Sequence, residues 1–216
     1  MDASTECPRF ASCIASPNQS VMAKPYPSEL IQALTLRDGT RVIVRPIRPE
    51  DRQIEKEFVQ RLSAESRYFR FLGAVRELSE TMLNRFTRID YDREMALIAV
   101  VCEGGNETEI GVARYAVYAD DVSCEFAVAI ADAWQGRGLG TLLMLSLISA
   151  ARKRGLQVME GIVAARNHKM LGLMTSLGFS VRTDQGDASL KRGSKQLGAY
   201  PDTSGPTAGT VVADVN

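Results

Sequence analysis

This 216-residue chain has a single histidine and only four cysteines. Cys7, Cys13, Cys102 and Cys124 form no CxxC pair and show no metal-ligand spacing, so no metal site is expected. They read as reduced thiols of a cytoplasmic protein. Net charge is missing too: 26 Lys and Arg balance 26 Asp and Glu, and no overall field gathers nucleic acid or an anionic membrane. Neither is expected as a partner. The longest apolar run, Met95 to Cys102, is well short of the roughly 20 residues of a membrane helix. The first residues lack the basic-then-apolar pattern of a secretory signal. What remains, 45% hydrophobic and 24% charged residues, is the composition of a soluble globular domain.

Composition shifts twice along the chain. Residues 1–28 are rich in Ser, Pro, Ala and Cys without periodicity, and residues 193–216 are mostly Gly, Ser, Thr, Asp and Pro. Both are expected to be loose tails around a domain at 29–192. Within it, "TRVIVRPI" (Thr40 to Ile47) alternates like a strand, and Ile54, Phe58 and Leu62 recur four apart in a helix beginning near Pro49. "SAESRYFRF" opens with Ser63 and Glu65, read as a capping box, and "SETMLNRF" begins another short helix at Ser79. Three strand-like runs follow, Glu94 to Val101, Glu109 to Tyr118 and Val122 to Ile130, joined by the turn sequences "CEGGNET" and "ADD". A glycine-rich loop then leads into a helix reaching Arg154, a strand "QVMEGIVA", a helix ending at Gly178, and the strands "FSVR" and "ASLKR". This order predicts an α+β fold: a mixed, mostly antiparallel central sheet with one crossover, flanked by helices.

The loop "AWQGRGLGTLL", Ala133 to Leu143, has more glycine than a tight turn requires. Glycines before a helix expose backbone N–H groups and the positive end of the helix dipole, a setting for phosphate. A P-loop would need Lys and then Ser or Thr after the last glycine, but Thr141 and Leu142 follow Gly140. A dinucleotide fingerprint would need Gly or Ala at position 141 and a parallel βαβ unit, whereas Thr141 stands there behind three antiparallel strands.

Gln135-Gly136-Arg137-Gly138-Leu139-Gly140 resembles the Q/R-x-x-G-x-G/A acyl-CoA motif of the GNAT superfamily of N-acetyltransferases. The likeness extends to "YPSEL" at Tyr26, "LRDGTRVIVRPIRPEDR" from Leu36, "RLSAESRYFRFLGA" from Arg61, "IDYDREMALIAV" from Ile89, "EFAVAIADAWQGRGLGTLLM" from Glu125 and "LGF" at Leu177. These blocks are similar to the acetyltransferase domain of bacterial protein lysine acetyltransferases, which act on acyl-CoA synthetases. The resemblance implies acetyl-CoA as acyl donor and a protein lysine as acceptor. A small amine, or acyl-CoA sensing without turnover, are the alternatives. Members of that group often carry a cyclic-nucleotide-binding or CoA-ligase-like domain, which these 216 residues do not resemble.

The same resemblance implies site residues. N–H groups of Gln135, Gly136, Arg137, Gly138, Leu139, Gly140 and Thr141 would hold the CoA pyrophosphate, with Arg137 adding charge. The preceding stretch, Phe126, Ala127, Val128, Ala129 and Ile130, would pair its backbone with the pantetheine arm. Asn167 would stand near that arm, or simply cap a helix. A lysine of pKa about 10.4 costs about 4.6 kcal/mol to deprotonate at pH 7, so a base is needed. Glu125 is the implied general base; its alternative is a cross-strand ion pair with Arg114. His168, beside Lys169, reads as a solvated residue. The position where many relatives carry a tyrosine acid is here Met174. Arg67, Arg70, Arg88 and Arg93 read as a solvated, ion-paired surface, the alternative being contact with the partner protein or the CoA 3′-phosphate.

Overall fold

A computed structural model describes residues 24–36 and 38–198. Most residues of the two expected tails therefore lie outside the described residues. Strands β1 (Gln32–Thr35) and β2 (Arg41–Pro46) form a hairpin and lead into helices α1 (Arg52–Arg61), α2 (Ala64–Phe71) and α3 (Glu80–Thr87). A meander of β3 (Glu94–Glu103), β4 (Asn106–Val117) and β5 (Ser123–Ile130) follows. Then come α4 (Leu139–Arg154), β6 (Val158–Ala164), α5 (His168–Ser176), β7 (Ser180–Thr183) and β8 (Leu190–Gln196). The eight strands make one sheet in the order β1-β2-β3-β4-β5-β6-β8-β7. Only β5 and β6 are parallel, because α4 carries the chain back across the sheet between them. The expected mixed, mostly antiparallel α+β sheet is the fold observed.

Local chemistry explains the elements. Ser63 Oγ accepts from the Ser66 amide and Ser79 Oγ from the Met82 amide, each satisfying one free donor of a helix start. Position three after Ser63 is Ser66, so the cap there is not a reciprocal box with Glu65. Gly104 and Gly105 take φ of 58° and 85° in the β3–β4 turn, the left-handed pair a two-residue hairpin demands. Gly155, at φ 89°, ends α4.

Helices cover both sheet faces, so β3 is buried from Met95 to Val101 and reads as a continuous apolar run instead of an alternating one. On one face Phe58, Leu62, Phe71, Leu83 and Phe86 of the first three helices and their connections pack against Ile98, Val100 and Val112. On the other, Leu139, Leu143, Leu147 and Ile148 of α4 pack against Leu97, Tyr115 and Phe126. Leu143 and Leu147 are fully buried, each stabilising the fold by about 1.5–3 kcal/mol.

Two expectations at the sheet margins change. β1 (Gln32–Thr35) extends the sheet before β2, where no strand was expected. β8 continues to Gln196, pairing Gly193 with Gly161, and Leu197 is buried; the folded unit thus runs past the boundary expected at residue 192. Near the other end, Tyr26 Oη donates to the Pro46 carbonyl at 3.0 Å and its ring meets Tyr91 edge-on at 5.8 Å. These contacts pin the chain from Lys24 onward to β2.

Candidate active site

Strands β5 and β6 pair only from Ser123↔Val158 to Glu125↔Glu160 and then diverge. Phe126, the next residue on β5, causes the opening. Its ring lies over Gly161, where a Cβ would stand 2.5 Å from the nearest ring carbon, and it packs on Phe179 at 5.2 Å. The gap widens into a cleft of about 790 Å³, within the size of small-molecule and cofactor sites. Its walls include β5 from Glu125 to Ile130, the glycine loop, α2, and the β6–α5 connection.

Strand alternation fixes what β5 presents there. The Ala131 amide donates to the Ile110 carbonyl of β4, so odd-numbered residues address β4, and Phe126, Val128 and Ile130 turn their backbone toward the gap. The Ile130 carbonyl accepts from Gln135 Nε2 at 3.2 Å. Val128 thus aims both its N–H and its C=O into the cleft. Side chains alternate in the opposite sense: Phe126 is buried in the α4 core, while Ala129 packs against the helices of the other face. Ala129 is 8% exposed and packs closely on that face.

At the far end the glycine loop turns into α4. Gly136 and Gly138 adopt φ of 75° and 85°, and a Cβ on either would meet no atom within 4 Å. Gly138 is the N-cap and supplies no side chain. The first-turn amides of Leu139, Gly140 and Thr141 therefore lack both an intrahelical acceptor and a side-chain cap. The first turn carries no acidic residue, so the positive dipole end of a 16-residue helix is available to an anion.

Gln135 is a brace across the mouth of the cleft. Its Nε2 also reaches Ser66 Oγ at 3.2 Å, and its Oε1 accepts from Lys169 Nζ at 2.9 Å. Ser66 and Ser63 hydroxyls and the Ser63 amide donate to Asp132. Burial works against the Asp132 charge, but those hydrogen bonds hold its carboxyl below the ordinary value. Arg166 stacks over Tyr68 at 4.6 Å and Phe69 at 5.5 Å, joining the β6–α5 connection to α2 over the cleft. Asn167 caps α5, its Oδ1 accepting from the Met170 amide, and also lines the cleft.

The structure brings together Glu125, Phe126, Ala127, Val128, Ala129, Ile130, Gln135, Gly136, Gly138, Gly140, Thr141 and Asn167 on one wall system. Two expected residues stand apart. The Leu139 side chain is 1% exposed in the core, leaving only its amide at the loop. Arg137 points away to Asp38 at 3.0 Å and stacks on Trp134 at 4.8 Å. Met174 is enclosed against Gly193; Met170 and Leu173 are the α5 side chains that face the cleft with His168 and Lys169.

Residues that the sequence reading did not place in the site also line it: Ser66, Phe69, Arg70, Arg166 and Lys169. Arg70, expected on a solvated face, is 7% exposed and lies over the rings of Phe71 and Phe86. Glu125 borders the cleft and a second, smaller cavity with Arg85, Phe86, Glu94 and Arg114. Arg114 pairs with Glu55 at 3.6 Å and stacks on Phe86 at 4.4 Å. Among the described residues, no group of three or more His, Cys, Asp and Glu is arranged to hold a metal ion, and no helix is long and apolar enough to cross a membrane.

A sheet opened between its two parallel strands, with a glycine-capped helix at the end of the gap, is the architecture of an acyltransferase. Residues 41–180 match the acetyltransferase (GNAT) domain family, and the chain belongs to that family. It is 43% identical over 155 residues to acetyltransferase PA5475 of Pseudomonas aeruginosa, covering 72% of this chain and 83% of that protein. It is 31% identical to acetyltransferase Pat of Mycolicibacterium smegmatis over 70% of this chain, but spans only 45% of that relative's length. The crystal structure of the GNAT domain of S. lividans PAT superposes with a TM-score of 0.73 at 28% identity, covering 80% of this chain and 99% of that one.

Proposed function

We propose that the chain transfers an acetyl group from acetyl-CoA directly to a protein lysine, with an acyl-CoA synthetase as the type of target and Glu125 as general base. The observation that carries this reading is the cleft itself. A strand edge at Val128, a loop left open at Gly136 and Gly138, and a helix N-terminus follow one another along a single groove, in the order in which CoA presents thioester, pantetheine and pyrophosphate. The likeness to proteins named Pat and PAT supports a protein acceptor.

In this mechanism the pyrophosphate accepts hydrogen bonds from the amides of Gly136 to Thr141, and Lys169 brings a cation to the same mouth. Pantetheine takes the place β6 vacates beside β5. The Val128 N–H then faces the thioester carbonyl and stabilises the oxyanion as the amine attacks. Glu125, on the α2 side of β5, faces the acceptor and takes a proton from its ammonium group, freeing the nitrogen lone pair. The C–S bond breaks with its electron pair on sulfur. A thiol of pKa near the cysteine value of about 8.5 needs no dedicated acid, consistent with Met174 in the core.

The test is intact-mass spectrometry of an AMP-forming acyl-CoA synthetase incubated with this protein and acetyl-CoA. Addition of a single acetyl group is expected. Acetylation of small amines but not of the synthetase would replace the protein acceptor. Binding of acetyl-CoA with no transfer to either would reduce the site to a sensor.

A further inference from the structure

Beneath α3, on the side of Glu125 away from the cleft, the sheet and helix enclose a cavity of about 20 Å³. That is room for one ordered water. Glu94, Arg114 and Glu125 from three adjacent strands line it, with Arg85, Phe86 and Ile89 from α3 and the residues after it. The register explains the juxtaposition. Glu94 stands opposite Ala116, and Ala116 opposite Glu125, so the two glutamates flank an alanine on one sheet face. Strand spacing sets their Cα atoms roughly 10 Å apart. Glutamate side chains are long enough that, reaching toward each other over the Ala116 methyl, they would need one water to join them.

From this geometry we propose that Glu94 is a proton-relay residue, receiving through one water the proton that Glu125 takes from the acceptor. The proposal rests on Glu125 being the general base. Glu94 is suited to the relay by its surroundings. It begins β3, half-buried, and so connects the interior of the cavity with the surface. Burial raises its carboxyl above the ordinary value; Arg114 and Arg85 oppose that shift and Asp90 adds to it. A carboxylate so placed accepts a proton from Glu125 more readily than a solvated one. Small residues at 96 and 116 keep the path between the two carboxylates open.

The protons balance. One leaves the acceptor ammonium for Glu125, passes to the water as the water gives one to Glu94, and exits from Glu94 to solvent. The amine nitrogen forms its bond to the acetyl carbon while the C–S bond breaks onto sulfur. The second nitrogen proton is lost as the amide forms and neutralises the thiolate.

Two measurements test this. A crystal structure of the CoA complex is expected to show a water within hydrogen-bond reach of both Glu94 and Glu125; a dry cavity overturns the relay. In kinetics with the unmodified acceptor, Glu94→Gln is expected to lower kcat about tenfold, leave the KM for acetyl-CoA unchanged, and recover activity with rising formate concentration. A merely structural glutamine defect would show no such rescue. Unchanged kcat and pH profile in Glu94→Gln, with kcat lost in Glu125→Gln, would overturn the relay alone. Full kcat in Glu125→Gln would overturn the base and the relay together.

Discussion

Gly138 and Gly155 sit at opposite ends of α4 with nearly equal φ, 85° and 89°, and a Cβ on either meets nothing within 4 Å. Alanine at either position is therefore a pure backbone perturbation in the free protein. A left-handed L-residue costs about 1–2 kcal/mol, which for a domain of this size lowers Tm by roughly 2–8 °C. Gly138→Ala and Gly155→Ala should destabilise alike. They should differ in CoA binding, because only the methyl at 138 stands where a pyrophosphate approaches the amides of the loop. Losing one hydrogen bond to a charged group, about 1.5–3 kcal/mol, corresponds to roughly 10- to 150-fold in Kd. Isothermal titration with CoA, beside thermal melts of both variants, separates the two effects. Equal Kd values in the two variants would refute the argument that the loop binds phosphate and reduce it to a turn.

Gly161→Ala should lose about 1–3 kcal/mol through overpacking, since its Cβ would enter the Phe126 ring; melts that match the parent would contradict the stated cause of the strand opening. Glu109 is fully buried, and its pKa is raised well above the ordinary value, first by burial and then by Glu55. The folded chain thus keeps a proton that the unfolded chain releases, so this stabilisation is full at acid pH and is lost as pH rises above the carboxyl range. Glu109→Gln should flatten the fall of Tm as pH rises above the carboxyl range, and unchanged curves would refute that source of pH dependence. Arg166→Ala removes the stacking contact over Tyr68 and Phe69 and should speed CoA dissociation in stopped-flow measurements; an unaltered off-rate would show that the contact does not hold the cleft closed.

The central sheet was legible because its burial is written in the chain. β3 is a continuous apolar run and β2, β4 and β5 carry their turns between them. β1 was not, because "QALT" lies at the sheet edge with three of its four side chains exposed and so shows no buried face. The far part of β8, beyond the expected "ASLKR", escaped for a related reason: in "LKRGSKQ" only Leu190 and Gly193 are buried, and glycine carries no hydropathy signal although Met174 packs on it. At the site, the loop and β5 were legible as one contiguous stretch. Phe69, Arg70 and Arg166 were not, since they reach the cleft only through the packing of α2 and α5 against it. Arg70 shows the limit most clearly. An arginine between aromatic neighbours in sequence does not reveal that the rings will bury it.

The most direct measurement is kcat for Glu125→Gln with the unmodified acceptor and acetyl-CoA, set beside its Kd for acetyl-CoA. A fall in kcat of about 100-fold or more with unchanged Kd is the expected result, because the carboxylate acts on the acceptor's proton while the donor is held by backbone. A variant that keeps the parent kcat would show that the amine is deprotonated elsewhere.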